Sequence, residues 1–412
     1  MHRSRAKAEA ASGESGPMPD EASDRHHARE AGRDRISILL PDLRGGGAER
    51  VCVDLSNELV RRGCLVDMVL MSAIGELVGQ LDGRVRVMEL GVRRTRELLG
   101  ALICYLRREH PAGLIANMWP STSVAAVAAR LSGTGCRVLV VEHNTLSTQY
   151  RGRGLVHRLA LTASLAIGTR VADARAGVSN GVARDVARLA GLPAGGVSTL
   201  YNPIAAPGVP SKDELERAEL AWPRPRGRRI LAVGSLKQQK NHGLLVRALN
   251  AMDDDSACLL LLGQGALEEK LFRLASELGI GSQVVFAGFH PDPAPFYATA
   301  DLFVLSSDYE GFGNVIVEAL AHGVPVVSTD CAHGPREILD DGRYGTLVPT
   351  GDVHALAQAM RDALAATHNV LELKRRAREF SVERAADNYL NLLMPERFRT
   401  QLPSSRAPGE GR

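Results

Sequence analysis

The sequence contains few aromatic residues and little net charge, and these two scarcities exclude some functions. Phe, Trp and Tyr make up only 4% of the 412 residues, too few for the stacked platform by which many proteins bind single-stranded nucleic acid. The formal net charge is only +3, so the chain as a whole is not built to bind a polyanion. We therefore expect no nucleic-acid partner.

The six cysteines are scattered, and no two have the C-x-x-C spacing of a zinc knuckle or a redox pair. Most lie in apolar segments, as small buried side chains do, and the compartment is expected to be reducing. No apolar run reaches the roughly 18 residues needed to cross a bilayer, and the polar N-terminus has no signal-peptide core. The expected location is the cytoplasm, and peripheral contact with the inner face of the cell membrane stays open.

The chain is long enough for two domains of about 150–200 residues each. Two similar patterns, in which short apolar strands alternate with amphipathic helices, predict parallel sheets built from βαβ units. The predicted divisions are a disordered tail at 1–34, a first domain at 35–204, a proline-rich linker at 205–228, a second domain at 229–380, a C-terminal helix at 381–400 and a disordered tail at 401–412. The C-terminal helix is a candidate to pack back on the first domain.

The segment Glu310–Leu320, EGFGNVIVEAL, is the most informative in the chain. It follows a predicted strand, begins with a glycine loop and continues into a helix, so backbone N–H groups and the helix dipole meet where a phosphate binds well. Glu318 lies within this helix among apolar neighbours, where a carboxylate needs a hydrogen-bonding partner such as a ribose. A solvated pair of glutamates is the simpler interpretation of Glu310 and Glu318.

Two loops of the predicted first domain, 35–204, follow predicted strands. Gly45–Arg50, GGGAER, has three glycines that allow a ligand to approach the backbone closely. The dinucleotide fingerprint fails here, because it needs a third glycine where Arg50 stands. His143 follows the strand end Val140-Val141-Glu142 and is placed to hydrogen-bond a substrate hydroxyl or a phosphate. A flexible turn and a structural histidine are the simpler interpretations of these two features.

The second unit begins with the loop Gly234–Asn241, in which Lys240 precedes a helix. Its compact ammonium suits a diphosphate, and lysine is scarce in this arginine-rich chain, which favours a role. The turn Gly263-Gln264-Gly265 is a candidate for backbone contacts to a nucleotide base. Asp253-Asp254-Asp255 matches the D-x-D pattern of metal-dependent sugar transferases, but it precedes a strand and is interpreted as a solvated turn.

A basic cluster is confined to the first unit. Its members are Arg93, Arg94, Arg96, Arg151, Arg153, His157 and Arg158. Two interpretations of this cluster are equally good: a solvated face, or a surface that binds anionic lipid or a lipid diphosphate.

Together, these segments resemble the retaining glycosyltransferases of family 4, formerly called group 1, which have the GT-B fold. The likeness runs from about Ile36 to the final helix and is strongest at Gly45–Arg50, Val233–Asn241 and Tyr309–Glu337. It implies an α/β fold with two Rossmann-like doubly wound domains facing across a cleft. It also implies a nucleotide-sugar donor and a saccharide or lipid-linked saccharide acceptor.

The resemblance assigns roles to individual residues. Glu310 is expected to face the hydroxyls of the donor sugar, and Glu318 to hold the ribose. Lys240 is expected to bind the diphosphate, and His143 to lie near the reacting sugar carbon. The residues expected to complete the donor site are Gly46, Gly47, Ser235, Gly265, Phe312, Gly313 and Asn314.

One position departs from the family pattern. Members often carry an arginine where Ser235 stands, so a second cation for the diphosphate is missing, and Arg44 is a candidate replacement. The implied activity is a retaining transfer that needs neither metal nor cofactor, with a UDP-sugar as the first choice of donor and GDP-mannose as the second. The alternatives are a sugar-nucleotide epimerase or phosphorylase on a similar scaffold, and a non-catalytic protein that binds sugar nucleotides.

Overall fold

The structure is a computed structural model that describes residues 35–224 and 227–396. The tails predicted to be disordered, 1–34 and 401–412, lie outside the described residues. Within the described ranges the chain forms two parallel α/β sheets, each with helices packed against it.

The first domain is a seven-stranded parallel sheet. Its strands are β1 (Arg35–Leu40), β2 (Leu65–Leu70), β3 (Arg86–Glu89), β4 (Gly113–Asn117), β5 (Arg137–Glu142), β6 (Ala174–Gly177) and β7 (Ser198–Thr199). Its helices are α1 (Gly47–Arg61), α2 (Thr95–Glu109), α3 (Ser121–Ser132), α4 (Leu146–Gln149), α5 (Leu155–Val171) and α6 (Asn180–Ala190). The strand order β3-β2-β1-β4-β5-β6-β7 reverses direction between β1 and β4, the kind of position at which doubly wound sheets bind ligands.

The segment predicted as a linker contains a helix, α7 (Lys212–Ala221), which begins at a capping box formed by Ser211 and Glu214. Trp222, directly after it, is buried, and its Nε1 donates to Thr299 Oγ1 at 3.0 Å. Pro207, Pro210 and Pro223 stand outside the helix and do not interrupt it. Part of the predicted linker therefore packs on the second domain.

The second domain is a six-stranded parallel sheet with the order β10-β9-β8-β11-β12-β13. Its strands are β8 (Arg228–Val233), β9 (Ala257–Leu262), β10 (Val284–Gly288), β11 (Leu302–Leu305), β12 (Val326–Thr329) and β13 (Thr346–Val348). Its helices are α8 (His242–Met252), α9 (Glu268–Glu277), α10 (Ala294–Ala298), α11 (Asn314–His322), α12 (Pro335–Ile338), α13 (Val353–Ala365) and α14 (Val370–Ala377). The prediction of two Rossmann-like doubly wound domains is confirmed.

The strands of both sheets are mostly apolar, as is typical of parallel sheets that helices cover on both faces. β9 reads ACLLLL, and all six of its residues are buried, as expected for a strand that helices cover on both faces. The last helix, α15 (Val382–Leu393), lies against the first domain, where Arg137 Nε donates to the carbonyl of Leu393 at 2.7 Å. The chain therefore crosses back to the first domain at its C-terminal end.

Candidate functional site

The candidate site lies where the carboxyl edges of the two sheets face each other. Several hydrogen bonds join the two domains across this cleft. Among them, Thr145 Oγ1 donates to the carbonyl of Glu310 at 3.3 Å, and Asn314 Nδ2 donates to the carbonyl of Gly47 at 3.1 Å. The loops after β1 and β5 therefore meet the loop after β11. The cleft brings together segments that lie more than 160 residues apart in the sequence.

Lys240 and Glu310 form an ion pair in the second half of the site. Lys240 Nζ lies 2.6 Å from Glu310 Oε1, with the side chains only 15% and 8% exposed. Ser307 Oγ donates to the same carboxylate oxygen at 2.7 Å. In the described part of the chain Glu310 Oε2 accepts no hydrogen bond, which leaves it available to a hydroxyl group. Lys240 thus contacts Glu310 directly. The family resemblance assigned the diphosphate to Lys240 and the sugar hydroxyls to Glu310, and it did not predict this contact.

His143 lies at the first-domain wall of the cleft, with its imidazole buried. Its Nε2 lies 2.9 Å from Asn117 Oδ1, and the amide nitrogen of Asn117 donates to the carbonyl of Leu39. Asn117 therefore presents its oxygen, so Nε2 of His143 carries the proton and Nδ1 is an acceptor. Nδ1 is buried without a hydrogen-bond partner among the described residues. Burial lowers the pKa of His143 to about 4, so the ring is neutral near pH 7.

The helix α11 points its N-terminus into the cleft. Gly313 precedes it with φ +105°, a conformation that favours glycine. The ring of Phe312 packs against Tyr201 and Phe380 with centroids 5.6 and 5.4 Å away, so only the main chain of Phe312 is placed to face a ligand. The side chain of Asn314 is already engaged by Gly47 and by Asn202 Nδ2 at 2.8 Å, and it acts as a bridge between the domains.

Glu318 lies further along α11. Tyr297 Oη donates to its Oε2 at 3.0 Å, and burial raises the pKa of the Glu318 carboxyl. A cavity of about 140 Å³ between the domains is lined by Glu318, Tyr297, Arg50 and Asp54, among others. Glu318 therefore has the hydrogen-bonding partner that its apolar setting required, and it also borders open space.

The predicted glycine positions lie at close approaches between loops. Gly46 directly precedes α1, and the carboxylate of Glu49 folds back over it. A Cβ at Gly265 would come within 2.4 Å of the carbonyl of Leu236, the residue after Ser235. The structure thus brings Ser235 and Gly265 into adjacent loops, and Gly265 has a packing reason to be glycine.

The loop with Ser235 contains a cation that sequence reasoning missed. Lys237 precedes Lys240 by one turn of 3₁₀ helix, and the amide of Lys240 donates to the carbonyl of Lys237 at 3.1 Å. Partial desolvation lowers the pKa of Lys237, and the charge of Lys240 lowers it further. Arg44, the candidate from the sequence, is bound instead to Asp42 through Nε at 3.0 Å and Nη2 at 2.6 Å.

Two further site residues were not predicted. Asn117, which orients His143, ends β4, so its position at the carboxyl edge was a usable signal. Glu337 accepts from the amides of Asn180 and Gly181 at 2.8 and 3.1 Å across the domain boundary. No local pattern reveals such a long-range contact.

The D-x-D match lies away from the cleft. The run Asp253–Asp255 precedes β9 at the amino edge of the sheet, and Asp254 accepts from the amide and hydroxyl of Ser256 at 2.8 and 2.6 Å. Within residues 35–224 and 227–396, no cluster of three or more His, Cys, Asp or Glu side chains is arranged to hold a metal ion. No helix in these ranges is both long and apolar enough to span a bilayer.

Two doubly wound domains with a ligand cleft between their carboxyl edges define the GT-B class. The chain matches the profile of Glycosyltransferase Family 4 over residues 45–206 and that of Glycosyl transferases group 1 over residues 227–366. Together the two matches cover well over half of the chain. The chain belongs to the glycosyltransferases of family 4, or group 1, as its motifs predicted.

Two curated relatives illustrate this membership. The chain is 37% identical over 169 residues to the lipopolysaccharide core biosynthesis glycosyltransferase LpsE of Rhizobium meliloti, covering 40% of this chain and 49% of LpsE. It is 30% identical over 239 residues to the N-acetylgalactosamine-N,N'-diacetylbacillosaminyl-diphospho-undecaprenol 4-alpha-N-acetylgalactosaminyltransferase of Campylobacter jejuni, covering 58% of this chain and 63% of that protein. The chain thus spans between about half and two thirds of these relatives.

A solved structure shares the whole fold. HepE of Anabaena, solved in complex with UDP and glucose, superimposes with a TM-score of 0.76 and 20% identity. The match covers 88% of this chain and 99% of HepE. At this identity the likeness establishes the GT-B fold.

Proposed function

We propose that this protein is a retaining glycosyltransferase that moves a sugar from a nucleotide-sugar donor to a lipid-linked or nascent saccharide in bacterial surface glycan assembly. The observation that carries the proposal is the ion pair of Lys240 and Glu310, at the cleft beside the N-terminus of α11. A cation, a carboxylate and free backbone N–H groups at one point suit a sugar diphosphate, which has anionic oxygens next to hydroxyls.

Departure of the nucleoside diphosphate is the step that these groups assist. Negative charge grows on the diphosphate as the bond to the sugar breaks, and donors fixed in place stabilise that charge. Lys240, the N-terminus of α11 and Lys237 would supply this stabilisation, which needs no metal ion. We assign to Lys237 the place of the second cation that Ser235 leaves open.

The sugar is proposed to lie between Glu310 and His143. Glu310 Oε2 is available to accept from a sugar hydroxyl, and the neutral His143, whose buried Nδ1 has no partner among the described residues, lies on the opposite wall of the cleft. The acceptor hydroxyl then attacks from the face that the leaving group occupies, and a phosphate oxygen of the donor takes its proton. This assignment leaves Glu318, beside its cavity, for the ribose.

A UDP-sugar is the first choice of donor and GDP-mannose the second. The structure of HepE contains UDP and glucose, and the name of the Campylobacter relative specifies an N-acetylgalactosaminyl transfer to a diphospho-undecaprenol-linked molecule. The first name supports a UDP-sugar as the donor here, and the second supports a lipid-linked acceptor. A non-catalytic sugar-nucleotide-binding protein is the alternative, because Ser235 removes one expected cation.

Slow donor hydrolysis tests the proposal without knowledge of the acceptor. We expect the wild type to release UDP or GDP from a matching nucleotide sugar, and Glu310→Ala and Lys240→Ala to lower the rate by about a hundredfold or more. Lys270→Ala and Glu277→Ala remove the same charges from the exposed helix α9 and serve as controls. Nucleotide binding without turnover across nucleotide sugars and a broad acceptor panel would favour the non-catalytic alternative.

A further inference from the structure

The helix α5 has apolar residues on its exposed side as well as on its buried side. Leu161 and Leu165 face the core, whereas Leu155, Val156, Leu159 and Ile167 are 70%, 82%, 59% and 55% exposed. The helical period places the exposed four on one face, together with the exposed Ala160 and Ala163 and, at the far end of the helix, Arg170. Exposed apolar side chains grouped on one face often mark a contact site, and no described element covers this face.

Positive charge surrounds the first turn of this helix. Arg151, Arg153 and Arg158 are exposed, and none of them forms an ion pair with a carboxylate in the described ranges. From His143 to Ala172 the sequence contains no Asp or Glu at all. The exposed apolar face therefore lies beside cations that no acidic residue of the same segment neutralises.

A groove adjoins these arginines. It has a volume of about 330 Å³ and separates α5 from α4 and α6. Its lining combines apolar side chains and arginines and includes Leu146, Leu161, Leu189, Arg151, Arg158 and Arg188. Arg188 is paired with Asp185 at 2.6 Å, so Arg151 and Arg158 supply the unpaired charge of the groove. An anionic head with an apolar body fits this lining.

We propose that the N-terminal half of α5, the three arginines and the groove form a docking surface for an anionic phospholipid membrane. Leu155, Val156 and Leu159 would enter the boundary between headgroups and acyl chains, while the arginines bind headgroup phosphates. A second copy of the chain fits less well, because a two-fold contact through this patch would bring the same unpaired arginines together. A helix that lies on the surface in this way needs no membrane-spanning segment.

The surface is close to the cleft. Leu146, in the groove wall, directly follows Thr145, whose hydroxyl donates to the carbonyl of Glu310. The remaining residues of the predicted basic cluster, Arg93, Arg94 and Arg96, lie at the start of α2. The helix α3 packs between α2 and α5, so those arginines belong to the same layer of helices as α5.

Vesicle flotation tests the proposal, with phosphatidylcholine vesicles that either lack or contain about one third phosphatidylglycerol. We expect the wild type to bind only the anionic vesicles, and high salt to weaken this binding. The variant R151Q/R153Q/R158Q should bind about a hundredfold more weakly, because each arginine near an anionic surface contributes roughly a factor of five. L155Q/V156Q/L159Q should also lose most of the binding, since it removes the buried apolar area.

Matched controls are available on other exposed surfaces. R217Q/R247Q/R384Q removes three exposed arginines, and V209Q/L220Q/L371Q replaces three exposed apolar side chains. Both should bind vesicles like the wild type. Unchanged donor hydrolysis by all four variants would show that they are folded, and it separates this proposal from the catalytic one. The proposal is overturned if the wild type does not float with anionic vesicles, if the two α5 variants float as well as their controls, or if light scattering shows that the apolar face holds two copies together.

Discussion

Gly311 and His143 touch across the interdomain cleft. A Cβ on residue 311 would lie 1.9 Å from the carbonyl oxygen of His143 and 3.2 Å from Cα of Asn144. The first distance is shorter than any that real Cβ atoms adopt, and the obstacle is backbone, which does not rotate away. The two domains therefore reach this arrangement only because residue 311 is glycine.

Gly311→Ala should keep both domains folded but prevent their full closure. We expect donor hydrolysis to fall by about a hundredfold, because displacement of catalytic groups by an ångström or so has effects of this size. Small-angle scattering in the presence of nucleotide should show a larger radius of gyration than for the wild type. Gly83→Ala is the control, since a Cβ there meets nothing within 4 Å. Normal activity of Gly311→Ala would mean that catalysis does not need this contact.

The charge of Lys237 should matter for nucleotide binding. Lys237→Ala is expected to weaken UDP or GDP binding by about tenfold, the effect of losing one charge-assisted contact. Ser235→Arg in the same variant should restore part of the affinity, because it returns a cation to the same loop. Calorimetry measures both, with Lys270→Ala as the control. If Lys237→Ala binds like the wild type, the second cation must come from elsewhere.

His143 should make the fold sensitive to mild acid. Burial holds the pKa of His143 at about 4 in the folded state, against 6.5 for the free side chain. The contribution of His143 to the free energy of unfolding is therefore fully present above pH 6.5. It is lost as the pH falls from 6.5 toward 4, because only the unfolded chain takes up the proton. Between pH 7 and pH 5 this loss is about 2 kcal/mol.

Urea unfolding at these two pH values checks the assignment. His143→Gln cannot take up the proton, so its free energy of unfolding should drop by about 2 kcal/mol less than that of the wild type between pH 7 and pH 5. Burial also lowers the pKa of His242 to about 4. His242 is present in both proteins, so its effect on the free energy of unfolding cancels in the comparison. An identical drop in the two proteins would show that the folded state protonates His143 readily.

Glu337 should favour domain closure. Its carboxylate accepts from the amides of Asn180 and Gly181 and so caps α6 from the other domain. Loss of such a cap costs about 1 kcal/mol, so Glu337→Ala is expected to raise the KM for the donor about fivefold with little change in the melting temperature. Glu277→Ala should leave the KM unchanged. A large fall in melting temperature with an unaltered KM would assign Glu337 to stability alone.

Local patterns predicted most of the fold. Apolar strands alternating with amphipathic helices determined both doubly wound sheets, and glycines marked the loops at their carboxyl edges. The helix Lys212–Ala221 was missed because flanking prolines resemble those of a linker, whereas the sequence between them carries a capping box.

The positions of three candidate site residues could be predicted from the same local patterns. Lys240, Glu310 and His143 lie in loops that the strand pattern places at the same edges, so they could be named in advance. The direct contact between Lys240 and Glu310, the tautomer of His143 and the cap by Glu337 depend on tertiary distances. Lys237 was visible in the sequence, but it was missed because an arginine was expected at position 235.

Nucleotide binding tests the central claim most directly. Melting temperatures of the wild type and Lys240→Ala should be measured with UDP, GDP and ADP in turn. We predict that UDP, or GDP in its place, raises the melting temperature of the wild type by several degrees, since a ligand at a hundred times its Kd adds about 2.7 kcal/mol to stability. The shift should be much smaller in Lys240→Ala. If none of the three nucleotides raises the melting temperature of the wild type, the cleft between Lys240 and His143 is not a nucleotide-sugar site.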